Sequence, residues 1–129
     1  MPVAAALQVL IVDDQRMMRE LVRGVLNDLG CRQIVESPDG VEALRALDLK
    51  PAQLIISDVN MPNMSGLDLL RAVRAHPTFA KTAFIMLTSR AEKESVRQAI
   101  ELGVNNYVIK PFNAATLKAK IEAVLGPLT

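Results

Sequence analysis

Five polar side chains in this sequence stand where apolar runs of strand length end, and their types could hold a metal ion and a charged group. Asp13 and Asp14 follow one run, Asp58 ends another, Thr88 a third and Lys110 a fourth. Ligands of open α/β sheets bind beyond the carboxyl ends of the strands, so a charge at such a point has a raised chance of serving a function. Asp58 is the central candidate of this site. A proline and a glycine break regular structure just beyond it, so Asp58 is expected at the end of its strand.

The three carboxylates would repel one another if the fold brought them into one cleft. At ~5 Å and an effective dielectric near 20, each pair costs about 3 kcal/mol, so a cation is required. Hard oxygen ligands without histidine or thiolate indicate magnesium. The single cysteine and single histidine of the chain leave no cluster for zinc. Lys110 is a second cationic candidate, and Thr88 adds a hydroxyl at the same edge. The sequence therefore predicts an Mg²⁺ site.

Each of these residues also has a purely structural explanation. Asp13 or Asp14 could cap the first helix, and Asp58 could cap a turn. Thr88 alone is typical of a strand end, and Lys110 alone is typical of a surface lysine whose stem lies along apolar atoms. The coincidence of polar residues of both charge signs at four strand ends favours a functional site.

Five apolar runs with strand character alternate with five helical patterns. Strands are predicted at residues 8–12, 34–37, 54–58, 83–88 and 107–110. The helical patterns that follow them cover residues 18–29, 41–47, 65–75, 92–102 and 117–125. The apolar face of the first helix is expected to consist of Met18, Leu21, Val22, Val25 and Leu29. The fourth helix has the narrowest apolar stripe, formed by Val96, Ala99 and Ile100, so we expect it to pack weakly.

This alternation predicts a single α/β domain. Strands that alternate with helices form a mostly parallel sheet with right-handed crossovers and helices on both faces. The expected architecture is a doubly wound five-stranded sheet of the flavodoxin-like type, in strand order 2-1-3-4-5. Residues 1–7 are interpreted as a short N-terminal tail, and residues 8–129 as the domain, with no output domain.

Composition excludes several classes of function. A net charge of +1 provides no general field for nucleic acid or an anionic membrane, and 3% aromatic residues argue against base stacking. No apolar run approaches the ~20 residues that span a bilayer, and the first seven residues lack the basic start of a signal peptide. We therefore expect a cytoplasmic monomer that binds neither nucleic acid nor membrane.

Four motifs carry a resemblance to a known family. Val12-Asp13-Asp14, the stretch Ser57 to Pro62, Thr88-Ser89 and Lys110-Pro111-Phe112 resemble the motifs of bacterial response-regulator receiver domains. The resemblance covers the whole chain and is greatest to the stand-alone chemotaxis members of that family. Ser65 departs from the aspartate that the family commonly has at that position.

The resemblance implies a role for each residue of the cleft. Asp58 would accept a phosphoryl group from the phosphohistidine domain of a histidine kinase, and Lys110 and Thr88 would hold the phosphoryl oxygens. Metal ligands would be Asp58, Asp14 directly, Asp13 through water and the backbone carbonyl of Asn60. The bond between Lys110 and Pro111 is expected to be cis. Such a domain is not an enzyme beyond its own phosphorylation and dephosphorylation.

The resemblance also suggests how the signal leaves the site. Thr88 and Tyr107 are expected to form a switch that shifts helix four, with helix four, strand five and helix five as the partner surface. Asn60, Ser89 and Arg90 are expected to control access of water to the phosphoryl group. The expected partner is the flagellar motor switch of chemotaxis, and a phosphatase is a further possible partner.

Three alternatives remain open from sequence alone. A phosphate sink or a relay receiver in stress signalling would share every active-site residue. A flavodoxin-like electron carrier would have the same fold, but the chain lacks a phosphate loop rich in Ser, Thr and Gly after the first strand. A phosphohydrolase with an aspartate nucleophile would need a second acid two residues after Asp58, where this chain has Asn60.

Overall fold

A five-stranded parallel sheet in the order β2-β1-β3-β4-β5 lies at the centre of the fold, as the sequence predicts. The coordinates are a computed structural model and describe residues 3–129. The elements are β1 (Gln8–Val12), α1 (Arg16–Asp28), β2 (Gln33–Ser37), α2 (Gly40–Leu49), β3 (Leu54–Asp58), α3 (Gly66–Ala75), β4 (Ala83–Ser89), α4 (Lys93–Glu101), β5 (Asn106–Lys110) and α5 (Ala114–Leu125).

Two apolar layers bury the sheet, one on each face. Successive side chains of a strand point to opposite faces, so Val9 and Ile11 pack in one layer, whereas Leu10 and Val12 pack in the other. The first layer is completed by α1 and α5, and the second by α2, α3 and α4. Every residue of β1 and β3 is buried. Burial on both faces explains why these strands are continuous apolar runs.

The strand register brings the candidate site residues to one edge of the sheet. Val12 of β1 lies beside Ser57 of β3, and Asp58 lies beside Leu87 of β4. At the far end of β4, Ser89 lies beside Lys110 of β5. The carboxyl ends of the four strands therefore meet, and the predicted cleft forms there.

A glycine allows α3 to begin close to this edge. A Cβ atom added to Gly66 would lie 2.0 Å from the backbone oxygen of Asp58, and the Gly66 N–H donates to the oxygen of Val59 at 2.8 Å. The preceding residue, Ser65, caps α3 by accepting a hydrogen bond from the Asp68 N–H. Ser65, which stands where the resemblance predicts an aspartate, therefore caps α3.

Two expectations about packing were wrong in detail. Ile100 of α4 is 58% exposed, whereas Ala99 is fully buried, so the buried side of this helix is narrower than its apolar stripe suggests. In α1, Leu21 is 43% exposed and Leu26, absent from the predicted face, is fully buried. The other residues of each expected face are buried or half-buried, so each error concerns one edge of the face.

The N-terminal segment also packs more closely than a tail. Ala4 and Leu7 are buried against the α1 and α5 layer, and a short 3-10 helix spans Ala4–Ala6. The Ala4 N–H donates to the backbone oxygen of Thr129 at 2.9 Å, which joins the two ends of the domain. Residues 1 and 2 of the expected tail lie outside the described residues.

No helix among residues 3–129 combines the length and apolarity that crossing a membrane requires.

Candidate functional site

Asp58 lies at the end of β3 and pairs with the lysine that ends β5. The ammonium group of Lys110 donates to Asp58 Oδ1 at 3.0 Å, and the Val59 N–H donates to the same oxygen at 2.8 Å. Both side chains are mostly buried, with 22% of Lys110 and 11% of Asp58 exposed. The peptide bond between Lys110 and Pro111 is cis, as predicted. Lys110 therefore lies beside Asp58 as expected, although β3 and β5 are separated by β4 in the sheet.

Asp13 and Asp14 join Asp58 at the same point. Asp13 is fully buried; its Oδ1 accepts a hydrogen bond from the Gln15 N–H at 2.9 Å. Its Oδ2 is buried without a hydrogen-bond partner among the described residues, 3.7 Å from the Lys110 Nζ. Asp14 is exposed, and one carboxylate oxygen from each of the three acids lies within 4.8 Å of the others.

The charge balance of this cluster is incomplete without a cation. Burial raises the pKa of Asp13, and the neighbouring charge of Asp58 raises it further, while the hydrogen bond from Gln15 and the charge of Lys110 oppose the shift. Burial likewise raises the pKa of Asp58 despite its bond to Lys110. A hard divalent cation fits this arrangement, because it would supply the missing positive charge. The Asp13 oxygen that has no hydrogen-bond partner among the described residues could then serve as a ligand of the ion.

Sequence reasoning missed one residue at the mouth of the cleft. The Glu92 carboxylate accepts a hydrogen bond from the Asn60 amide at 2.7 Å, and its other oxygen accepts from the Ser89 N–H at 2.9 Å. The only sequence signal was an acid at the start of a predicted helix, which is common for reasons of helix stability. Nothing in the sequence pattern shows that this side chain turns back toward Asn60.

Thr88 lies in β4 beside Ile109 of β5, which lines a groove between β5 and α4. Thr88 is fully buried, and its hydroxyl donates to the backbone oxygen of Ser89 at 3.3 Å. The groove has a volume of about 590 Å³ and is lined by Ser89, Arg90, Lys93, Val96, Tyr107 and Ile109. Arg90 is exposed and lines this groove. Its control of water access to the phosphoryl group stays a prediction.

A family comparison identifies this arrangement. The model of the response regulator receiver domain matches residues 9–122. The chain belongs to the response-regulator receiver domain family. The resemblance drawn from the four motifs is thereby confirmed, and with it a place in two-component signalling. Receiver domains are signal transducers and not enzymes in the ordinary sense.

Relatives of this receiver domain include chemotaxis proteins. A probable chemotaxis protein CheY of Rhizobium etli is 44% identical and covers 99% of each chain. The structure of the chemotaxis response regulator CheY4 of Vibrio cholerae matches with a TM-score of 0.84 at 35% identity, covering 92% of this chain and 98% of that one.

A second similar structure contains a metal ion. It is the receiver domain of the sensor histidine kinase PA1611 of Pseudomonas aeruginosa, with magnesium coordinated in its active-site cleft. It is 26% identical, has a TM-score of 0.83 and covers 93% of this chain and 98% of that one.

Proposed function

We propose that this receiver domain is a phosphorylation switch. Asp58 accepts a phosphoryl group from the phosphohistidine of a histidine kinase in a magnesium-dependent reaction, and the phosphorylated domain changes its affinity for a protein partner. The observation that carries the proposal is the position of Asp58, hydrogen-bonded to Lys110 at 3.0 Å and clustered with two further carboxylates. Both the phosphoryl transfer and the binding of the partner are proposed to take place in the cytoplasm.

The proposed reaction transfers a phosphoryl group from a histidine nitrogen of the kinase to a carboxylate oxygen of Asp58. An oxygen of Asp58 attacks phosphorus, the phosphorus–nitrogen bond breaks, and the imidazole leaves with the electron pair and takes a proton from solvent. The product is an aspartyl phosphate, and water later cleaves its oxygen–phosphorus bond to release inorganic phosphate. Lys110 stays beside the acceptor oxygen, where its charge stabilises the transferring group. The Thr88 hydroxyl is the second proposed contact to the phosphoryl oxygens.

Four groups are proposed to hold the magnesium ion. They are the carboxylates of Asp13, Asp14 and Asp58 and the backbone carbonyl of Asn60. When bound, the ion supplies positive charge that neutralises the phosphoryl oxygens. The buried, unpartnered oxygen of Asp13 supports this assignment, as does the magnesium in the cleft of the Pseudomonas receiver domain.

Chemotaxis is the proposed pathway, with the flagellar motor switch as the partner. Relatives named as chemotaxis proteins, with identities of 44% and 42%, support it. The groove between α4 and β5 is the proposed partner surface, together with α5. Ile109 is 43% exposed there, and Arg90 and Lys93 are exposed basic residues beside it. A segment with apolar anchors and acidic residues would fit this surface.

Mass spectrometry tests the phosphoacceptor directly. The protein is incubated with a small phosphodonor and magnesium, and its intact mass is measured. The wild type is expected to gain one phosphoryl group, Asp58→Ala none, and Asp14→Ala less than the wild type. An exposed acid outside the cleft provides the matched control, Asp48→Ala, which should behave as the wild type. Phosphorylation of the Asp58→Ala variant would overturn the proposal.

A binding experiment separates the chemotaxis role from the remaining alternative. A motor-switch peptide should capture the protein only when a phosphoryl mimic is bound. A phosphate sink or stress-signalling relay would take up the phosphoryl group equally well and leave this peptide unbound. Addition of a candidate phosphatase would then show whether a dedicated enzyme shortens the lifetime of the phosphorylated state.

A further inference from the structure

A carboxylate spans the mouth of the cleft and joins two loops. Glu92 accepts one hydrogen bond from the side chain of Asn60, at 2.7 Å, and one from the backbone of Ser89, at 2.9 Å. Asn60 lies two residues beyond Asp58, and Ser89 lies beside Lys110 in the strand register. One donor therefore lies just beyond Asp58, and the other lies on the neighbouring strand beside Lys110, the partner of Asp58 in the central ion pair.

Glu92 also acts on Asp58 through its charge. The Asn60 amide, which donates to the Glu92 carboxylate at 2.7 Å, lies two residues beyond Asp58, so the two negative charges lie near each other. An anion formed on Asp58 therefore meets repulsion from Glu92. A phosphoryl group would strengthen this repulsion, because it adds about two negative charges and three strong hydrogen-bond acceptors.

We propose that Glu92 is a positioning residue that occupies, in the unphosphorylated domain, two donors that a phosphoryl group on Asp58 would compete for. Its carboxylate holds the Asn60 amide and the Ser89 N–H, and phosphorylation displaces it by charge repulsion and by competition for the same donors. The inference rests on the proposed function, since it deepens the account of how the aspartyl phosphate is accommodated.

The displaced side chain has a second place to go. Glu92 is the residue before the first turn of α4, and its side chain makes no capping bond to that helix in the present arrangement. Carboxylates are stabilised near helix N-termini, so release from Asn60 and Ser89 leaves Glu92 free to interact with its own helix. The following residues Lys93 and Val96 line the groove proposed as partner surface. Glu92 thereby links the chemistry at Asp58 to the start of α4.

Competition of this kind predicts tighter binding when the competing charge is removed. Fluorine NMR would measure the affinity of the domain for a beryllium fluoride phosphoryl mimic in the presence of magnesium. Glu92→Gln is expected to bind the mimic about 3- to 10-fold more tightly than the wild type, the change that corresponds to one lost hydrogen bond. The matched control is Glu94→Gln, which removes an exposed charge two residues along, and it should bind as the wild type does.

A second readout comes from the side chain of Asn60. The side-chain amide resonances of Asn60 should shift in unliganded Glu92→Gln, as they should in the wild type when the mimic binds, and not in Glu94→Gln. A purely structural role for Glu92 predicts weaker binding of the mimic to Glu92→Gln, and equal or weaker binding would overturn the inference alone. A wild type that binds no mimic at all would reject the phosphoacceptor function and with it the inference.

Discussion

Asp13 is the carboxylate whose environment is least favourable to its charge. It is fully buried, one of its oxygens has no hydrogen-bond partner among residues 3–129, and burial raises its pKa above the ordinary value of 3.8. An acid whose pKa is raised by folding binds more protons in the folded state than in the unfolded state. Its contribution to stability therefore falls as pH rises from the unfolded pKa through the folded pKa.

We expect Asp13→Asn to stabilise the metal-free domain at pH 7. The free energy of unfolding should rise, because the substitution removes a charge whose burial raises the pKa of Asp13 and opposes folding at pH 7. At pH 3 the wild-type acid is protonated and the gain should vanish. Urea unfolding with a chelator at the two pH values measures both effects, with the exposed Asp48→Asn as control. A gain of equal size at pH 3 would contradict the assignment to charge burial.

Asp13→Asn should have the opposite effect on metal affinity. The substitution removes one of three clustered carboxylates, and oxygen ligands with negative charge provide most of the affinity for magnesium. Calorimetric titration should show at least about tenfold weaker magnesium binding than in the wild type, which is about 1.4 kcal/mol. Unchanged affinity would exclude Asp13 from the metal site, even if the stability prediction were met.

The junction between β3 and α3 depends on a missing side chain. A Cβ atom at Gly66 would lie 2.0 Å from the Asp58 backbone oxygen, a separation that forces the two segments apart. We expect Gly66→Ala to lower the free energy of unfolding by about 2–3 kcal/mol through overpacking and to slow phosphorylation by moving Asp58. Chemical denaturation and the rate of mass gain with a small phosphodonor measure the two effects.

Gly24 provides the matched control for this substitution. It lies inside α1, and an added Cβ would have no heavy atom within 4 Å. Gly24→Ala should therefore stabilise the domain by about 0.5–1 kcal/mol, the usual gain for alanine over glycine in a helix, and leave phosphorylation unchanged. Equal behaviour of the two variants would show that close approach at Gly66 does not position Asp58.

The architecture of the whole domain could be predicted from periodicity, because strands buried on both faces and helices with one apolar side leave distinct patterns. The convergence of Asp58 and Lys110 was expected because both residues end parallel strands at the same edge of the sheet. The exposure of Ile100 on α4 could not be predicted, since the apolar stripe of this helix is too short to show which of its edges is buried. Glu92 was missed because its role depends on the path of a loop, which no pattern encodes. The packing of Ala4 escaped for a similar reason, since three alanines resemble a tail.

The predicted transmission of the signal through the whole molecule requires that Thr88 and Tyr107 respond together. Thr88 is fully buried, whereas Tyr107 is half-buried and lines the groove. The Lys120 Nζ lies 5.6 Å from the centre of the tyrosine ring, so the ring also contacts α5. A shift from 1% to 99% of an active state needs about 5.5 kcal/mol, more than the ~0.5–1.5 kcal/mol of one hydrogen bond. We therefore expect phosphorylation to shift the equilibrium in part and the partner to complete the shift.

Thr88→Ala tests this coupling because it removes the hydroxyl and retains Asp58, Lys110 and the metal ligands. The variant should still gain one phosphoryl group by intact mass, yet its affinity for the motor-switch peptide should no longer depend on the phosphoryl mimic. The control is Thr82→Ala, which removes a buried hydroxyl bonded to the Ala52 oxygen just before the opposite end of β4. Thr82→Ala should lose stability but keep phosphate-dependent binding. If binding by Thr88→Ala stayed fully phosphate-dependent, the signal would have to leave the cleft by another route. The nearest is through Glu92, the residue that precedes α4.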